Sequence, residues 1–392
     1  MGLASHLGLK NYVSLCKDCR NRQGFIDRKN LDEPNECFIC NNLMSKLGTI
    51  SNTLVTRLSD GYEFRTFQIG VSLPSSYIER EDNIRSRLKI KGRNNIKNQF
   101  LLNLREMFKY ALFKEIDYVS PDIRIDLVIN EKNEVFFNII PAPIVLACKY
   151  LKKRRGIAQK SKGLVVTRNQ ILEDSQRENS FSLEEVISEY LKQLTLGEKV
   201  KFSWIGGEDK ESLVLGKGRP FFAEVIGPKR RVLTEHNISL KENGIELCVL
   251  STSRMLPQSP LKFDSTTRVS ITAERLVSIK DLECLTSLSG RTIWFRNKKK
   301  IIRKAVHSVK LGKIDGKNFV LDIFAEGGLH IKQFVGGKEY CEPNISTILG
   351  LKCECLSFDI MDVWLRDQHD LEVFQRLPIR KNVSERKDLI WG

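Results

Sequence analysis

The sequence predicts an α+β protein of two parts, an α/β amino-terminal half and a carboxy-terminal half built on a mostly antiparallel sheet. Apolar residues repeat with helical period from Phe100 to Leu112 and alternate with period two from Ile123 to Ile129. The second half contains four strand-like segments separated by turns with glycine or charged residues. These segments are Pro220 to Ile226, Ile245 to Leu250, Arg268 to Thr272 and Phe319 to Ala325.

Four cysteines near the start of the chain form two C-x2-C pairs, Cys16 with Cys19 and Cys37 with Cys40. Each pair can place two thiolates on one side of a tight turn, and two such turns complete a tetrahedral sulfur shell. A redox role is less favoured because no βαβ pattern surrounds either pair. The spacing therefore predicts a structural zinc, with reduced and buried cysteines as the alternative.

A second helix is predicted to begin at Ser182, where Ser182 and Glu185 form a capping-box pattern ahead of an apolar face. The polar stretch from Ser161 to Asn179 comes before it and predicts the boundary between the two halves. The sequence thus divides into a zinc-binding segment at residues 1–50, an α/β domain at residues 51–165 and a second domain at residues 180–392.

Positive charge is in excess, with 64 Lys and Arg residues against 48 Asp and Glu residues, so the net charge is 64 − 48 = +16. Three basic runs favour a phosphate-bearing partner, and a solvated basic surface is the alternative. The runs are Lys152 to Arg155, Lys229 to Arg231, and the group of Arg296, Lys298, Lys299, Lys300, Arg303 and Lys304.

No secretory apolar region opens the chain, and its longest apolar stretch, Ile139 to Cys148, is short and broken by two prolines. Ten cysteines among 392 residues do not indicate a secreted disulfide framework. We therefore predict a soluble, cytoplasmic protein without a membrane partner, and the sequence identifies no protein partner.

Three segments, taken in chain order, carry a resemblance to a known family. They are Lys149 to Gln159; Gly206 to Asp209 followed by Leu215 to Phe221; and Ala325 to Phe334. They resemble the GRYxKxxRGIPQ, GREDxDVRxLGxGRPF and AEGGLYIKEF patterns of the archaeal-type tRNA pseudouridine-54/55 synthase family. With the cysteine pairs, the likeness covers nearly the whole chain.

The resemblance implies a zinc-binding and THUMP-like tRNA-binding half, followed by a pseudouridine synthase catalytic domain with a mainly antiparallel sheet. The family isomerises uridine with one aspartate and no catalytic cofactor, so Asp209 is the expected catalytic residue. The resemblance also implies substrate contacts by Arg219 and Lys332. Arg268 and His330 are expected to contact the substrate at positions where the family has tyrosine.

Departures from the family patterns leave a second function open. Gly207 stands where the family has an arginine beside the catalytic carboxylate, and Arg268 and His330 replace tyrosines. The alternative is a catalytically inactive tRNA-binding protein or RNA chaperone on the same fold. A THUMP-linked methyltransferase or thiouridine synthase is a weaker alternative, because no GxGxxG motif follows a strand and no glycine-serine phosphate loop is found.

Overall fold

The computed structural model describes residues 14–25, 34–161, 181–233, 238–242, 244–257, 261–297, 300–337 and 339–366. The chain forms two compact units. The first comprises Met1–Ala142 with Gly227–Val232, and the second comprises Pro143–Ile226 with Leu233–Gly392. Within the described residues, no helix has both the length and the apolar character needed to cross a membrane.

The division between the units falls before the predicted boundary. Almost all of the stretch from Ser161 to Asn179 lies outside the described residues. The compact units separate between Ala142 and Pro143, so the strand Ile144–Lys152 belongs to the second unit. The domain limits at residues 165 and 180 stay predictions.

The first unit packs helices against a four-stranded sheet. Its helices are α1 (Lys17–Gln23), α2 (Leu47–Gly61), α3 (Ser75–Leu88) and α4 (Ile96–Leu112), with a 3-10 helix at Met44–Lys46. Its strands are β1 (Thr66–Ser72), β2 (Glu115–Ile116), β3 (Ile123–Ile129) and β4 (Val135–Pro141). The order is β2-β1-β3-β4; β1 is parallel to both β2 and β3, and β4 is antiparallel to β3.

The structure confirms the helix and strand predicted for this unit. Phe100, Leu104 and Phe108 recur at every fourth residue of α4, so they share one buried face. The Asn95 side chain accepts a hydrogen bond from the backbone N–H of Asn98 and caps the helix. Strand β3 alternates buried and more exposed residues, as expected for a strand with one face on the core.

The second unit contains one large sheet. Its strands are β5 (Ile144–Lys152), β6 (Lys199–Trp204), β7 (Val214–Ile226), β8 (Ile238–Glu242), β9 (Ile245–Ser253), β10 (Phe263–Ala273), β11 (Thr292–Asn297), β12 (Lys300–Asp315), β13 (Asn318–Glu326), β14 (Cys341–Glu342) and β15 (Cys353–Leu365). Its helices are α5 (Leu183–Thr195), α6 (Ile279–Leu282), α7 (Ile331–Gly336) and α8 (Ile345–Leu349), with a 3-10 helix at Glu283–Leu288.

The strand order is β14-β11-β12-β13-β10-β15-β7-β5-β9-β8, with β6 also paired to β7. Among the described strands, neighbours are antiparallel except for β15 and β7, which run parallel where Ile360 meets Val214. The predicted mostly antiparallel sheet is therefore confirmed, and the sheet is mixed because of that pairing. The four predicted strands lie within β7, β9, β10 and β13, and the Ser182–Glu185 capping box begins α5.

One face of the β10–β13 region carries the hydrophobic core of its part of the unit. Alternate residues of both strands point into this core, where Phe334 of α7 and Ile345 of α8 also pack. The residues between them on each strand project from the opposite face. This alternation decides which side chains of β10 and β13 can reach a cavity on the core-facing side of the sheet.

Candidate active site and metal centre

A cavity of about 370 Å³ lies over the core-facing side of the second unit's sheet. Its walls come from the loop Gly206–Asp209, from β10, β13 and β15, and from the segment that leads into α7. Apolar Phe263, Ile323 and Phe358 line it together with polar and charged groups. A mostly apolar cavity with a few converging polar groups is typical of a ligand site.

Asp209 reaches this cavity with a cation beside it. Its side chain is 44% exposed, and Lys332 Nζ lies 2.5 Å from Asp209 Oδ2. The hydrogen bond to Asp209 raises the pKa of Lys332, so the ammonium stays charged at neutral pH. Lys332 therefore provides, from α7, a positive charge that Gly207 cannot provide from the position next to Glu208.

The residue before Asp209 is a buried carboxylate that fixes the loop. Glu208 has no exposed side-chain surface and forms an ion pair with Arg219, which is also buried. Tyr150 Oη lies 2.7 and 2.8 Å from the two Glu208 carboxylate oxygens, and Gln159 Nε2 donates to Glu208 at 3.2 Å. Burial and the neighbouring Glu208 charge raise the pKa of Tyr150 well above its ordinary value, so its hydroxyl remains a donor.

A buried lysine holds the other side of the same loop. Lys152 Nζ donates to the carbonyl oxygens of Asp209 and Ile157, each at 2.9 Å. Burial lowers the pKa of Lys152. Because Glu208 and Lys152 anchor the backbone on both sides of Asp209, the loop directs the Asp209 carboxylate into the cavity.

Breaking the Glu208 ion pair gives the first testable prediction. Arg219→Gln leaves the Glu208 carboxylate buried without its cation, so we expect the free energy of unfolding to fall by about 3–5 kcal/mol. Urea denaturation measures this change. The matched control is Arg268→Gln, which breaks an exposed pair with Asp322 and should cost at most about 1 kcal/mol. Equal, small losses in both variants would contradict the anchoring role of Glu208.

Three of the four residues predicted to contact the substrate line the cavity, namely Arg219, His330 and Lys332. His330 lines the cavity, with its ring centroid 4.6 Å from that of Phe295 and its Nδ1 3.1 Å from Gln333 Oε1. Arg219 also borders the cavity, but it is 3% exposed because it pairs with Glu208. Its contact with the substrate stays a prediction, and in the structure its partner is the Glu208 carboxylate.

Arg268 does not line the cavity. It lies between two buried residues of β10, Thr267 and Val269, and its exposed side chain projects from the opposite face of the sheet. There, its Nε and Nη2 donate to the two carboxylate oxygens of Asp322 at 2.8 and 2.9 Å. Thr267 is the neighbouring β10 residue that lines the cavity.

In the first basic run, Lys152 to Arg155, three side chains are engaged in contacts within the second unit. Lys152 is buried, Lys153 Nζ lies 2.7 Å from Glu246 Oε1, and Arg155 is 2.8 Å from Asp359. The prediction that Lys152 contacts phosphate is wrong because its ammonium binds backbone carbonyls inside the unit. In the second run, Arg231 donates to the Ala142 carbonyl at 2.6 Å.

The remaining members of the basic runs are divided. Lys229 and Arg230 are exposed in the first unit. In the third run, Arg296, Lys300 and Arg303 are exposed, and Lys304 is partly buried. Lys298 and Lys299 lie outside the described residues. The exposed members remain available for an anionic partner.

The four paired cysteines form a compact group in the first unit. The Sγ atoms of Cys16, Cys19, Cys37 and Cys40 all lie within 4.8 Å of one another. Arg22 Nη2 donates to Cys19 Sγ at 3.3 Å, which suits a thiolate ligand that carries negative charge. Four sulfur donors at this spacing fit the closed shell of a structural metal site, so the cluster can hold a metal ion.

The sequence predicted no role for Tyr150, Gln159 and Glu208 and placed Lys152 only in a basic run, although the motifs contain all four. A signal was available on β5, where Tyr150 and Lys152 fall on the same side of the strand as the buried Cys148. A lysine at an inward-facing position of a strand predicts a buried partner.

Comparisons with known proteins agree on one family. The family model described as "Pus10, C-terminal" matches residues 145–364, and that described as "Pus10 THUMP domain, archaeal" matches residues 52–127. A relative from Nitrosopumilus maritimus (strain SCM1), "tRNA pseudouridine synthase Pus10", is 34% identical over 340 residues and is matched over 86% of this chain and 87% of its own length. The relative of that name from Cenarchaeum symbiosum (strain A) is 32% identical over 351 residues, covering 88% of this chain and 85% of its own length.

Among solved structures, the chain has a slight likeness to "Crystal Structure of a Cbf5-Nop10-Gar1 Complex". The TM-score is 0.30 at 12% sequence identity, covering 48% of this chain and 49% of that chain. The C-terminal family model matches more than half of the chain, and the two relatives exceed 30% identity over most of their length. This chain therefore belongs to the Pus10 family.

Proposed function

We propose that this protein is a tRNA pseudouridine synthase that isomerises uridine at position 54, position 55 or both, with Asp209 as the catalytic carboxylate. One observation carries the proposal: Asp209 and Lys332 meet in the cavity of the domain that matches the Pus10 C-terminal family. The names of the relatives from Nitrosopumilus maritimus and Cenarchaeum symbiosum support the same reaction.

The reaction is an isomerisation and needs no oxidant, reductant or second substrate. The N1–C1′ bond of uridine breaks, the uracil turns, and a C5–C1′ bond forms; the proton leaves C5 and N1 gains one. A carboxylate suits this chemistry because it can add to the sugar or the base, or stabilise positive character at C1′ while it accepts a proton. The target uridine must first leave its stack to enter a cavity of this size.

The Asp209–Lys332 contact also bears on the inactive alternative. That alternative depended on Gly207, which cannot supply the cation that the family places beside its aspartate. Lys332 Nζ supplies one at 2.5 Å from Asp209 Oδ2. An ammonium this close orients the carboxylate, so a cation stands beside Asp209 although the arginine is missing.

The other site residues take complementary roles in the proposal. His330 lies at the cavity wall, where its imidazole can stack on the extruded base or hydrogen-bond to it. Lys332 is within reach of both Asp209 and a bound substrate. Glu208, Arg219 and Lys152 position the loop. Arg268 lies outside the proposed site.

The four-cysteine cluster is proposed to hold a structural zinc. Zinc prefers tetrahedral thiolate coordination, and a shell of four protein ligands leaves no position open for substrate. The cysteines belong to the first unit, whereas Asp209 belongs to the second. A metal in such a closed shell has a structural role, which is to support folding of the first unit.

Mapping the product tests the proposed function. Incubation with an unmodified tRNA transcript should yield pseudouridine at position 54, position 55 or both, read by chemical modification and primer extension. Transcripts with cytidine at one of the two positions decide which uridine is used, and a transcript with cytidine at both is the matched control. No product from a stoichiometric amount of protein, with tRNA bound, would favour the inactive alternative.

A further inference from the structure

A basic segment of the first unit lies outside the three predicted runs. From Asn83 to Arg105 the chain has seven Lys and Arg residues and no Asp or Glu. The segment covers the end of α3, the connection that follows it and the first part of α4. We call Arg85–Lys97 the basic turn. Its cations are Arg85, Arg87, Lys89, Lys91, Arg93 and Lys97.

Most of these cations face solvent. All but Arg85 are exposed, and none of the exposed ones forms an ion pair with another described residue. Like charges this close repel one another, and the repulsion opposes the compact state. An anionic partner would relieve it, which distinguishes the basic turn from the Lys152–Arg155 run, where Lys153 and Arg155 pair with carboxylates.

The basic turn is held in one conformation by buried contacts. Glu81, which is fully buried, accepts hydrogen bonds from Arg22 Nε at 2.6 Å, Gln23 Nε2 at 2.7 Å and the Ile96 backbone N–H at 2.9 Å. Arg85 donates to the carbonyl oxygen of Asn94 at 2.7 Å across the turn. These bonds fix both ends of the turn, so the backbone that carries its exposed cations is preorganised for a ligand.

Gly92 completes this arrangement. Its φ of +67° lies in the left-handed region, and a Cβ built there would lie 2.6 Å from Arg85 Nε. Any larger residue would displace the guanidinium that spans the turn. The turn therefore combines a conformation that requires glycine with a surface that carries only positive charge.

We propose that the basic turn binds the sugar–phosphate backbone of tRNA, a proposal that rests on the proposed function for its choice of partner. Arg85–Lys97 contains no aromatic residue, and its exposed charged groups are all cations. Lysine and arginine contacts to phosphate position an RNA without reading its sequence. The basic turn thus adds affinity for tRNA and leaves the choice of uridine to the cavity.

The same contacts connect the basic turn to the four-cysteine cluster. Arg22 donates to Cys19 Sγ through Nη2 at 3.3 Å and to Glu81 through Nε at 2.6 Å. Its backbone carbonyl accepts from the Arg93 N–H at 2.9 Å. Arg22 therefore joins a metal ligand to both the anchor and the far side of the turn. A bound metal that fixes Cys19 also fixes the RNA-binding surface.

The test compares two variants that lose the same charge from the same unit. Lys89→Gln/Lys91→Gln removes two exposed cations of the basic turn, and the control Lys46→Gln/Lys132→Gln removes two exposed cations elsewhere. We expect the first variant to bind tRNA about 30-fold more weakly at 0.1 M salt and to reduce the log–log salt slope by about 1.5. The control should bind tRNA like the unaltered protein, with the same salt dependence.

Unchanged tRNA affinity in the Lys89→Gln/Lys91→Gln variant overturns the proposal. The proposal also fails if this variant keeps its tRNA affinity and loses only binding to phosphatidylserine vesicles, which present an anionic membrane surface. The outcome is separable from the proposed function. If tRNA binding depends on the basic turn but no pseudouridine forms, the proposed function is wrong and the binding surface is supported. If pseudouridine forms but the variant binds tRNA with unchanged affinity, the proposed function is supported and the binding surface is wrong.

Metal removal tests the connection through Arg22. Chelation should weaken tRNA binding by the unaltered protein by at least about 10-fold, because the turn loses its support. It should weaken the Lys89→Gln/Lys91→Gln variant far less, since that variant has already lost the contacts. Equal weakening of both proteins would show that the metal does not act through the basic turn.

Discussion

Replacing Asp209 by Asn is expected to lower pseudouridine formation by at least about 1,000-fold, the scale at which loss of an essential nucleophile or base acts. Asparagine keeps the size of the side chain and can still accept a hydrogen bond from Lys332, but it loses the charge. Because the cavity walls and the rest of the second unit are unchanged, tRNA affinity should stay within about 3-fold. Single-turnover product formation and filter binding measure the two quantities.

The matched control is Asp322→Asn, the same substitution on β13. Asp322 pairs with Arg268 on the face of the sheet opposite the cavity, so its rate should change by less than about 3-fold. Comparable activity in Asp209→Asn and Asp322→Asn would remove Asp209 from the reaction. A loss of tRNA binding that matches the loss of rate would instead give Asp209 a role in binding.

The second large effect is expected at the four-cysteine cluster. Cys19→Ser removes a ligand and leaves the Arg22 guanidinium without its sulfur acceptor. We expect the one metal ion per chain to be lost and the first unit to lose at least about 5 kcal/mol of stability, since metal binding and folding are coupled in such sites. Metal analysis and thermal unfolding measure the two changes.

Cys284→Ser serves as the control for this substitution because Cys284 is exposed and lies outside the cluster. It should keep the metal and the melting temperature of the unaltered protein. A Cys19→Ser protein that retains its metal, or a metal-free protein that melts normally, would contradict a structural metal site.

The sequence predicted the elements well where a strong period met a clear boundary. The capping box at Ser182 and the alternation of β3 each depend on residues close together in the chain, and both are confirmed. The four-cysteine cluster was predictable for a related reason, since each C-x2-C pair forms its own turn. Only the close approach of the two cysteine pairs to each other depends on the tertiary fold.

The site was harder to predict because its parts are distant in sequence. Lys332 supplies the cation that is missing at Gly207 and lies more than 100 residues further along the chain. No local sequence pattern predicts its contact with Asp209. Glu208 could be recognised as buried only once Tyr150 of β5 and Arg219 of β7 were placed beside its loop.

Arg268 shows the cost of following a motif alignment without the strand period. Val269 and Ile271 define the core-facing side of β10, so Arg268 falls on the other side. The alternation of Val269 and Ile271 with polar residues is visible in the sequence and contains this information. A shift of one residue places Thr267 at the cavity, where the structure has it.

The most direct measurement of the proposed isomerisation is tritium release from tRNA labelled at C5 of uridine, followed with protein in excess over tRNA. Formation of the C5–C1′ bond frees the C5 hydrogen, so each pseudouridine releases one label. We expect one or two labels released per tRNA by the unaltered protein and none by Asp209→Asn. A fully bound tRNA that releases no label to the unaltered protein would show that the cavity does not isomerise uridine.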